Sequence, residues 1–249
     1  MSIFKNYSNY YDLLYADKDY QKEASYVDQL IQQNSPSAKT ILNLGCGTGK
    51  RDIEFAHMGY EVMGIDLSKE MIDIANRENT NPSKLQFEQG DIRTVRLNRK
   101  FDVVVSLFHV MSYQTTNEDL WSAFETARCH LKEGGLFIFD CWYGPGVLTD
   151  PPVTRVKRMG NENIDVLRIA EPEMHYDRNT VDVNYEIRVK EKNTRIEEII
   201  KEKHTVRYLF LPEINLFSEE FILINNYAWL TTRAPASDWY VISIYKNKQ

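Results

Sequence analysis

The sequence predicts an α/β fold: a doubly wound, seven-stranded, mostly parallel sheet with an antiparallel β insertion before the last helix. Three observations predict it. Between Thr40 and Trp142 short apolar runs alternate with segments of helical period, the pattern of repeated strand, helix, strand units. A glycine-rich turn, Gly45 to Gly49, follows the first of those runs directly. Beyond the breakers Gly144, Pro145, Gly146, Pro151 and Pro152 the period changes from helical to two.

The elements follow in order. Thr40 to Leu44 reads as the first strand, and Lys50 to Met58 as a helix stopped by Gly59, because glycine accepts positive φ. A second strand spans Glu61 to Ile65. Ser68 can cap the next helix, which turns Met71, Ile72 and Ala75 to the sheet and cannot run past Pro82. Leu85 to Gln89 and Phe101 to Leu107 give the third and fourth strands. Thr116 can cap a longer helix on which Leu120, Phe124, Ala127 and Leu131 share a face, with Gly134 and Gly135 ending it before a fifth strand, Leu136 to Cys141. Val181, Val183, Tyr185, Ile187 and Val189 alternate with polar residues, as in a strand with one dry and one wet face. Val153 to Met159, Ile164 to Ala170 and Ile196 to Val206 are its expected partners. Ser218 to Asn225 reads as the last helix, and Tyr227 to Thr231 and Trp239 to Tyr245 as the last strands.

The 249 residues carry a net charge of -6 and a pI near 5.5, which argues against general attraction to nucleic acid or anionic lipid. Cys46, Cys129 and Cys141 lack the paired spacing of a zinc site and read as reduced thiols, so no metal is expected. The N-terminus lacks the apolar core of a signal peptide, and no apolar run is long enough to cross a bilayer. A cytoplasmic location is expected.

The strongest chemical signal is Leu42-Asn43-Leu44-Gly45-Cys46-Gly47-Thr48-Gly49, a turn that leaves an apolar strand and enters a helix. Its glycines let backbone approach a ligand closely, and the helix start offers unpaired N–H groups. Asp66 ends the second strand about 20 residues later, where a carboxylate can accept hydrogen bonds from both hydroxyls of a ribose. Together they describe a nucleoside site. A dinucleotide fingerprint would need glycine at Lys50, and a P-loop would need glycine at Leu44 and Ser or Thr at Arg51.

On these residues the sequence resembles the class I, S-adenosylmethionine-dependent methyltransferases over roughly Tyr10 to Trp142. The resemblance implies a Rossmann-like methyltransferase fold that uses S-adenosyl-L-methionine and leaves S-adenosyl-L-homocysteine. It implies that Gly45, Cys46, Gly47, Thr48 and Gly49 surround the methionine part of the cofactor and that Asp66 binds its ribose. Leu67 and Met71 would flank the adenine, Gly90-Asp91-Ile92 would recognise its amine, and Leu107 and Phe108 would form a floor. Many relatives carry an acid where this chain has Asn43, although an amide can still accept a hydrogen bond there. A narrower resemblance is to the N-methyltransferases of nucleotide-linked deoxyamino sugars. It rests on Tyr10-Tyr11-Asp12-Leu13-Leu14-Tyr15, Lys18-Asp19-Tyr20, Phe139-Asp140-Cys141-Trp142-Tyr143-Gly144-Pro145 and the β-rich insertion. It implies that Tyr11 and Tyr15 lie near the sulfonium, that Tyr113 occupies a polar aromatic position, and that the insertion covers the substrate and helps form a homodimer.

A single domain is expected: an N-terminal helical cap (1–39), a cofactor-binding core (40–145), the insertion (146–206), and a final helix and strands (207–249). The resemblance makes Tyr11 and Tyr113 catalytic candidates, and His109 joins them because ligands gather after the fourth strand of such sheets. Trp142, Arg155, Arg158, His175 and His204 are candidates for the substrate, the arginines because guanidinium pairs with phosphate oxygens. The expected reaction is methyl transfer to the amino group of a nucleotide-linked amino sugar. Two alternatives are O-methyl transfer with His109, His175 or His204 as base, and a non-catalytic nucleoside-binding or interaction module.

Overall fold

The computed structural model describes residues 13–15, 17–193 and 197–248. After a helical turn at Leu13 and Leu14, helix α1 (Tyr20–Asn34) opens on Asp19, whose side chain accepts from the Lys22 N–H at 2.8 Å. There follow β1 (Thr40–Leu44), α2 (Lys50–His57), β2 (Glu61–Asp66), α3 (Lys69–Glu78), β3 (Leu85–Gln89) and β4 (Phe101–Ser106). A 3-10 turn (Val110–Tyr113) leads to α4 (Asn117–His130), β5 (Leu131–Tyr143) and α5 (Gly144–Thr149). The insertion is β6 (Arg155–Gly160), β7 (Ile164–His175), β8 (Thr180–Glu191) and β9 (Glu197–Leu209). The chain returns through α6 (Leu211–Phe217), β10 (Phe221–Ala228) and β11 (Tyr240–Asn247). Ser68 and Thr116 cap α3 and α4 through their hydroxyls, as the sequence predicts.

The core sheet runs β3, β2, β1, β4, β5, β11, β10, with β1 to β5 parallel and β11 antiparallel to both neighbours. Side chains alternate between its two apolar layers. Ile41 of β1 joins Val27, Ile31, Phe55 and Ile72 on the face covered by α1, α2 and α3, while Leu42 and Leu44 join Leu120, Phe124 and Ile214 under α4 and α6. The insertion is an antiparallel sheet in the order β6, β7, β8, β9. It extends the core sheet through two residue pairs alone, Trp142 with Tyr208 and Tyr143 with Leu209. The hydrogen-bonded system therefore has eleven strands rather than the expected seven.

Several boundaries differ from expectation, among them the strand expected over Tyr227 to Thr231, of which Tyr227 and Ala228 end β10 (Phe221–Ala228) and the rest is turn. The fourth-strand helix α4 ends at His130, so Leu131 begins β5, and Gly134, at φ +70°, sits in an irregularity of that strand instead of ending the helix. The insertion strands run to Leu209, three residues past Val206. Ser218 to Asn225 is not a helix: Phe221-Ile222-Leu223-Ile224 starts β10, which pairs with β11. Apolar runs this short fit either period, and long-range pairing decided. The helix lies earlier, at Leu211–Phe217, where Pro212 suits a first turn and Glu213 accepts the Phe210 N–H.

Candidate active site

A cavity of about 530 Å³ opens where β1, β2 and β4 end, and it is bounded on its far side by the insertion. The glycine turn forms one wall. Gly45, Gly47 and Gly49 have φ of +87°, +58° and +74°, all left-handed. The turn is pinned to β2, with Gly45 and Cys46 N–H groups donating to the Ile65 carbonyl at 2.7 and 3.0 Å. A Cβ at Gly47 would meet nothing within 4 Å, whereas one at Gly45 would collide with Val110 and one at Gly49 with Phe87.

Asp66 accepts from the Gly47 N–H at 2.8 Å through one oxygen and from the Ser68 N–H at 2.9 Å through the other. Burial pushes its carboxyl up, and these backbone bonds oppose the shift. The carboxylate is thus fixed beside the turn with acceptor capacity left over. Asp91 and Ile92 also line the cavity, but Asp91 is already gripped by Arg93, whose hydrogen bonds hold its carboxyl below the usual range.

The floor after β4 is Leu107, Phe108 and His109. Phe108 and His109 both take positive φ, +71° and +65°, which costs about 1–3 kcal/mol each in non-glycine residues and is held only where surroundings impose it. What imposes it is visible. The His109 N–H donates to Asp140 at 3.0 Å, its Nδ1 stands 2.8 Å from the other carboxylate oxygen though out of hydrogen-bond alignment, and its ring stacks on Tyr240 at 4.2 Å. Burial would raise the Asp140 carboxyl, but the His109 charge and bonds outweigh it and hold it low. With Nδ1 turned to Asp140, Nε2 is the ring nitrogen available to a molecule in the cavity. Phe108 carries the Lys18 ammonium 3.6 Å from its ring centre and the Arg51 guanidinium at 5.2 Å, with Tyr15 against it edge-on at 5.2 Å.

The insertion supplies the far wall through Arg168, Val183, Tyr185, Lys203 and His204. Tyr113, from the 3-10 turn, meets His204 Nδ1 at 3.0 Å, and Glu202 meets His204 Nε2 at 3.1 Å. The N-terminal segment is tied to the insertion as well: Lys157 donates to the Leu14 carbonyl at 2.7 Å, and Leu14 is buried among Val166, Ile187, Val189 and Ile200.

Of the predicted residues, Tyr15, Gly45, Cys46, Gly47, Asp66 and Leu67 line this cavity, as do Met71, Asp91, Ile92, Leu107 and Phe108. So do His109, Tyr113, Trp142 and His204. Thr48, Gly49 and Gly90 stand behind the wall: Thr48 is buried, Gly49 packs on Phe87, and the Gly90 N–H donates to the Asp66 carbonyl at 2.9 Å. His175 does not line the cavity and pairs with Asp182 at 3.1 Å, and the exposed Arg155 and Arg158 on β6 do not line it either. Tyr11 lies outside the described residues. The sequence assigns no part in the site to Arg51, Asp140, Arg168, Tyr185, Lys203 or Tyr240. Tyr185 had a signal, because it lies on the apolar side of the alternating strand, and Asp140 had another, as an acid inside an apolar run.

Asn43 does not line the cavity. Its Nδ2 donates to both oxygens of Asp52 at 3.0 and 2.9 Å, and both residues are buried. Burial pushes the Asp52 carboxyl up to about 7, against the opposing Asn43 bond and Arg51 charge. The folded state therefore holds this proton more tightly than the unfolded chain does. The contribution of Asp52 to stability falls as pH rises from the ordinary carboxylate range near ~4 towards 7, and is level above that. Asp52→Asn is expected to raise the melting temperature more at pH 8 than at pH 4.5, and an equal shift at both values would contradict the assignment.

Residues 41–135 match the family described as methyltransferase domain. The dTDP-3-amino-3,4,6-trideoxy-alpha-D-glucopyranose N,N-dimethyltransferase of Streptomyces venezuelae is 33% identical over 147 residues, 58% of this chain and 61% of that protein. The chain thus spans about three fifths of the length of that curated relative. An S-adenosylmethionine-dependent methyltransferase from Clostridium acetobutylicum superposes with a TM-score of 0.82 at 21% identity, covering 96% of each chain. DesVI of Streptomyces venezuelae does so with a TM-score of 0.80 at 22% identity, covering 96% of this chain and 98% of its own. The match to a methyltransferase domain thus covers residues 41–135, and the Rossmann-like architecture is shared along nearly the whole chain.

Proposed function

We propose that this chain, built on a methyltransferase domain, transfers a methyl group from S-adenosyl-L-methionine to the amino group of a nucleotide-linked amino sugar. The observation that carries the reading is the single cavity with two kinds of wall. One is the glycine turn with Asp66, suited to a nucleoside, and the other is the insertion, with room for an acceptor beside it. The residues fit the cofactor. The space over Gly47 is open, Asp66 offers fixed acceptors, and Leu67 and Met71 give apolar cover. The Streptomyces venezuelae relative is named for a dTDP-linked amino sugar, which supports the acceptor class.

When bound, the cofactor supplies an electrophilic methyl group on a sulfonium. The chain's own residues then have to align the partners and keep water out, which is worth up to ~7–11 kcal/mol in favourable cases. Phe108, Tyr15 and Tyr240 give the centre apolar and aromatic walls, and Arg168 and Lys203 place positive charge on the acceptor side. That charge suits the phosphates of a nucleotide-linked sugar. O-methyl transfer is the second reading, favoured by the carboxylate-backed imidazole of His109. Labelled methyl donor offered with dTDP-linked amino sugars and hydroxyl analogues decides between them: label in hydroxyl compounds alone overturns the amine reading.

Asp66→Ala is expected to weaken cofactor binding by about 1–3 kcal/mol, roughly 5- to 150-fold, through lost hydrogen bonds to a charged acceptor. An unchanged dissociation constant in calorimetry would misplace the ribose. A reduced cytosolic setting accords with the three free cysteines, and no helix among the described residues is long and apolar enough to cross a membrane. The net charge of -6 gives no general attraction to nucleic acid. The insertion as substrate cover and as the dimer contact completes the proposal, and sedimentation of the purified protein tests the dimer.

A further inference from the structure

We propose that Tyr113, His204 and Glu202 form a proton exit that carries a proton from the acceptor amine in the cavity to solvent, the insertion completing a path that the core only begins. The proposal rests on the amine reading above and deepens it. An amine attacks only with its lone pair free, so an acceptor arriving as an ammonium must first lose a proton, and a second methylation at the same nitrogen requires a further loss.

The geometry gives the path a direction. A carboxylate can only accept, so the 3.1 Å contact with Glu202 assigns the hydrogen to His204 Nε2. Neutral imidazole then has Nδ1 as acceptor, and the 3.0 Å contact makes the Tyr113 hydroxyl its donor. Tyr113 lines the cavity, the His204 side chain is 3% exposed, and the Glu202 side chain is 12% exposed. The three thus run from the cavity, through a buried ring, to the solvent edge. The amine N–H bond breaks as a new O–H bond forms on Tyr113, while the original tyrosyl proton passes to His204 Nδ1. The resulting imidazolium faces Glu202, which takes the Nε2 proton and releases it to water. Burial raises the Tyr113 hydroxyl well above its ordinary range, which disfavours a free phenolate. Tyr113 is the catalytic residue here, and His204 and Glu202 act through it as positioning residues.

The groups facing His204 are Tyr113 from the turn, Tyr185 from β8, edge-on at 4.9 Å, and Glu202 from its own strand, with Lys203 and Arg168 elsewhere on the cavity wall. His109 is the other imidazole at the cavity, but the Asp140 side chain behind it is 1% exposed.

Two measurements on the full chain test the exit. Nitrogen-15 NMR of the imidazoles should show His204 protonated at Nε2, with its Nδ1 signal moving in Tyr113→Phe; protonation at Nδ1 overturns the direction. Single-turnover methylation of dTDP-3-amino-3,4,6-trideoxy-α-D-glucopyranose should be slower by roughly 10- to 100-fold near pH 7 in His204→Phe and in Tyr113→Phe. The deficit should close at a pH high enough for water to deprotonate the amine, with cofactor affinity unchanged. Glu202→Gln should show a smaller deficit of the same pH dependence. A deficit equal at all pH values would mark a structural role and overturn the exit. A wild-type protein that methylates no amine would overturn the functional reading itself, a result distinct from an active wild type with indifferent variants.

Discussion

Gly45→Val is expected to abolish binding of S-adenosyl-L-methionine, with at least a 1000-fold rise in the dissociation constant. Two effects combine at this position. The backbone φ of +87° is one that a β-branched residue essentially never adopts. A Cβ there would also lie 2.5 and 2.6 Å from the two γ-carbons of Val110, which itself lines the cavity. Valine at 110 is stiff about χ1 and cannot rotate away freely, so the strain passes to the turn that presents Phe108, His109 and Tyr113. Gly47→Ala serves as the contrast, because its Cβ would meet nothing within 4 Å and only the left-handed backbone, costing roughly 1–2 kcal/mol, opposes it. Calorimetry on both variants is the check. Affinity for Gly45→Val within tenfold of wild type would remove the turn from the cofactor site.

Gly146→Ala should produce the largest loss of stability. Its Cβ would fall 2.0 Å from the Asp238 carbonyl oxygen and 2.7 Å from the Trp239 nitrogen, and backbone at the entry to β11 cannot step aside as a side chain can. Overpacking of this kind costs about 3 kcal/mol, which for a chain of this length lowers the melting temperature by roughly 6–12 °C. Gly144 offers the comparison: a Cβ there meets only the Phe210 ring, which can shift, and Gly144→Ala should cost less. A melting temperature unchanged by Gly146→Ala would show that α5 does not pack on the segment before β11.

The half of the molecule that carries the glycine turn and Asp66 was legible because its signals are local. The glycine turn, the Ser68 and Thr116 caps, and the alternation of apolar strand and amphipathic helix each lie within a few residues, and each matches the structure. The acceptor half was not. Arg168, Tyr185 and Lys203 come together only through the register of β7, β8 and β9, which fixes which side chains of each strand face inward. His109 and Asp140 are 31 residues apart and meet only because β4 and β5 are adjacent and parallel. Arg155 and Arg158 show the reverse: a basic run that looks suited to phosphate stays on the exposed β6 strand, while the arginine with which the insertion lines the cavity, Arg168, is on the neighbouring strand. The β10 segment was misread for a related reason, since Phe221 to Ile224 acquires its period from its partner β11.

The join at Trp142–Tyr208 and Tyr143–Leu209 makes the acceptor half exchangeable in principle. Two rungs of backbone pairing demand little of the side chains around them, so a foreign segment would have to reproduce that short seam, the meeting of Tyr113 with position 204, the seat for Leu14 and the Arg207 contacts with Asn117 and Glu213. Such an architecture lets the recognition of new acceptors diversify by replacement of one contiguous stretch of gene, while the costly nucleoside pocket is inherited unchanged.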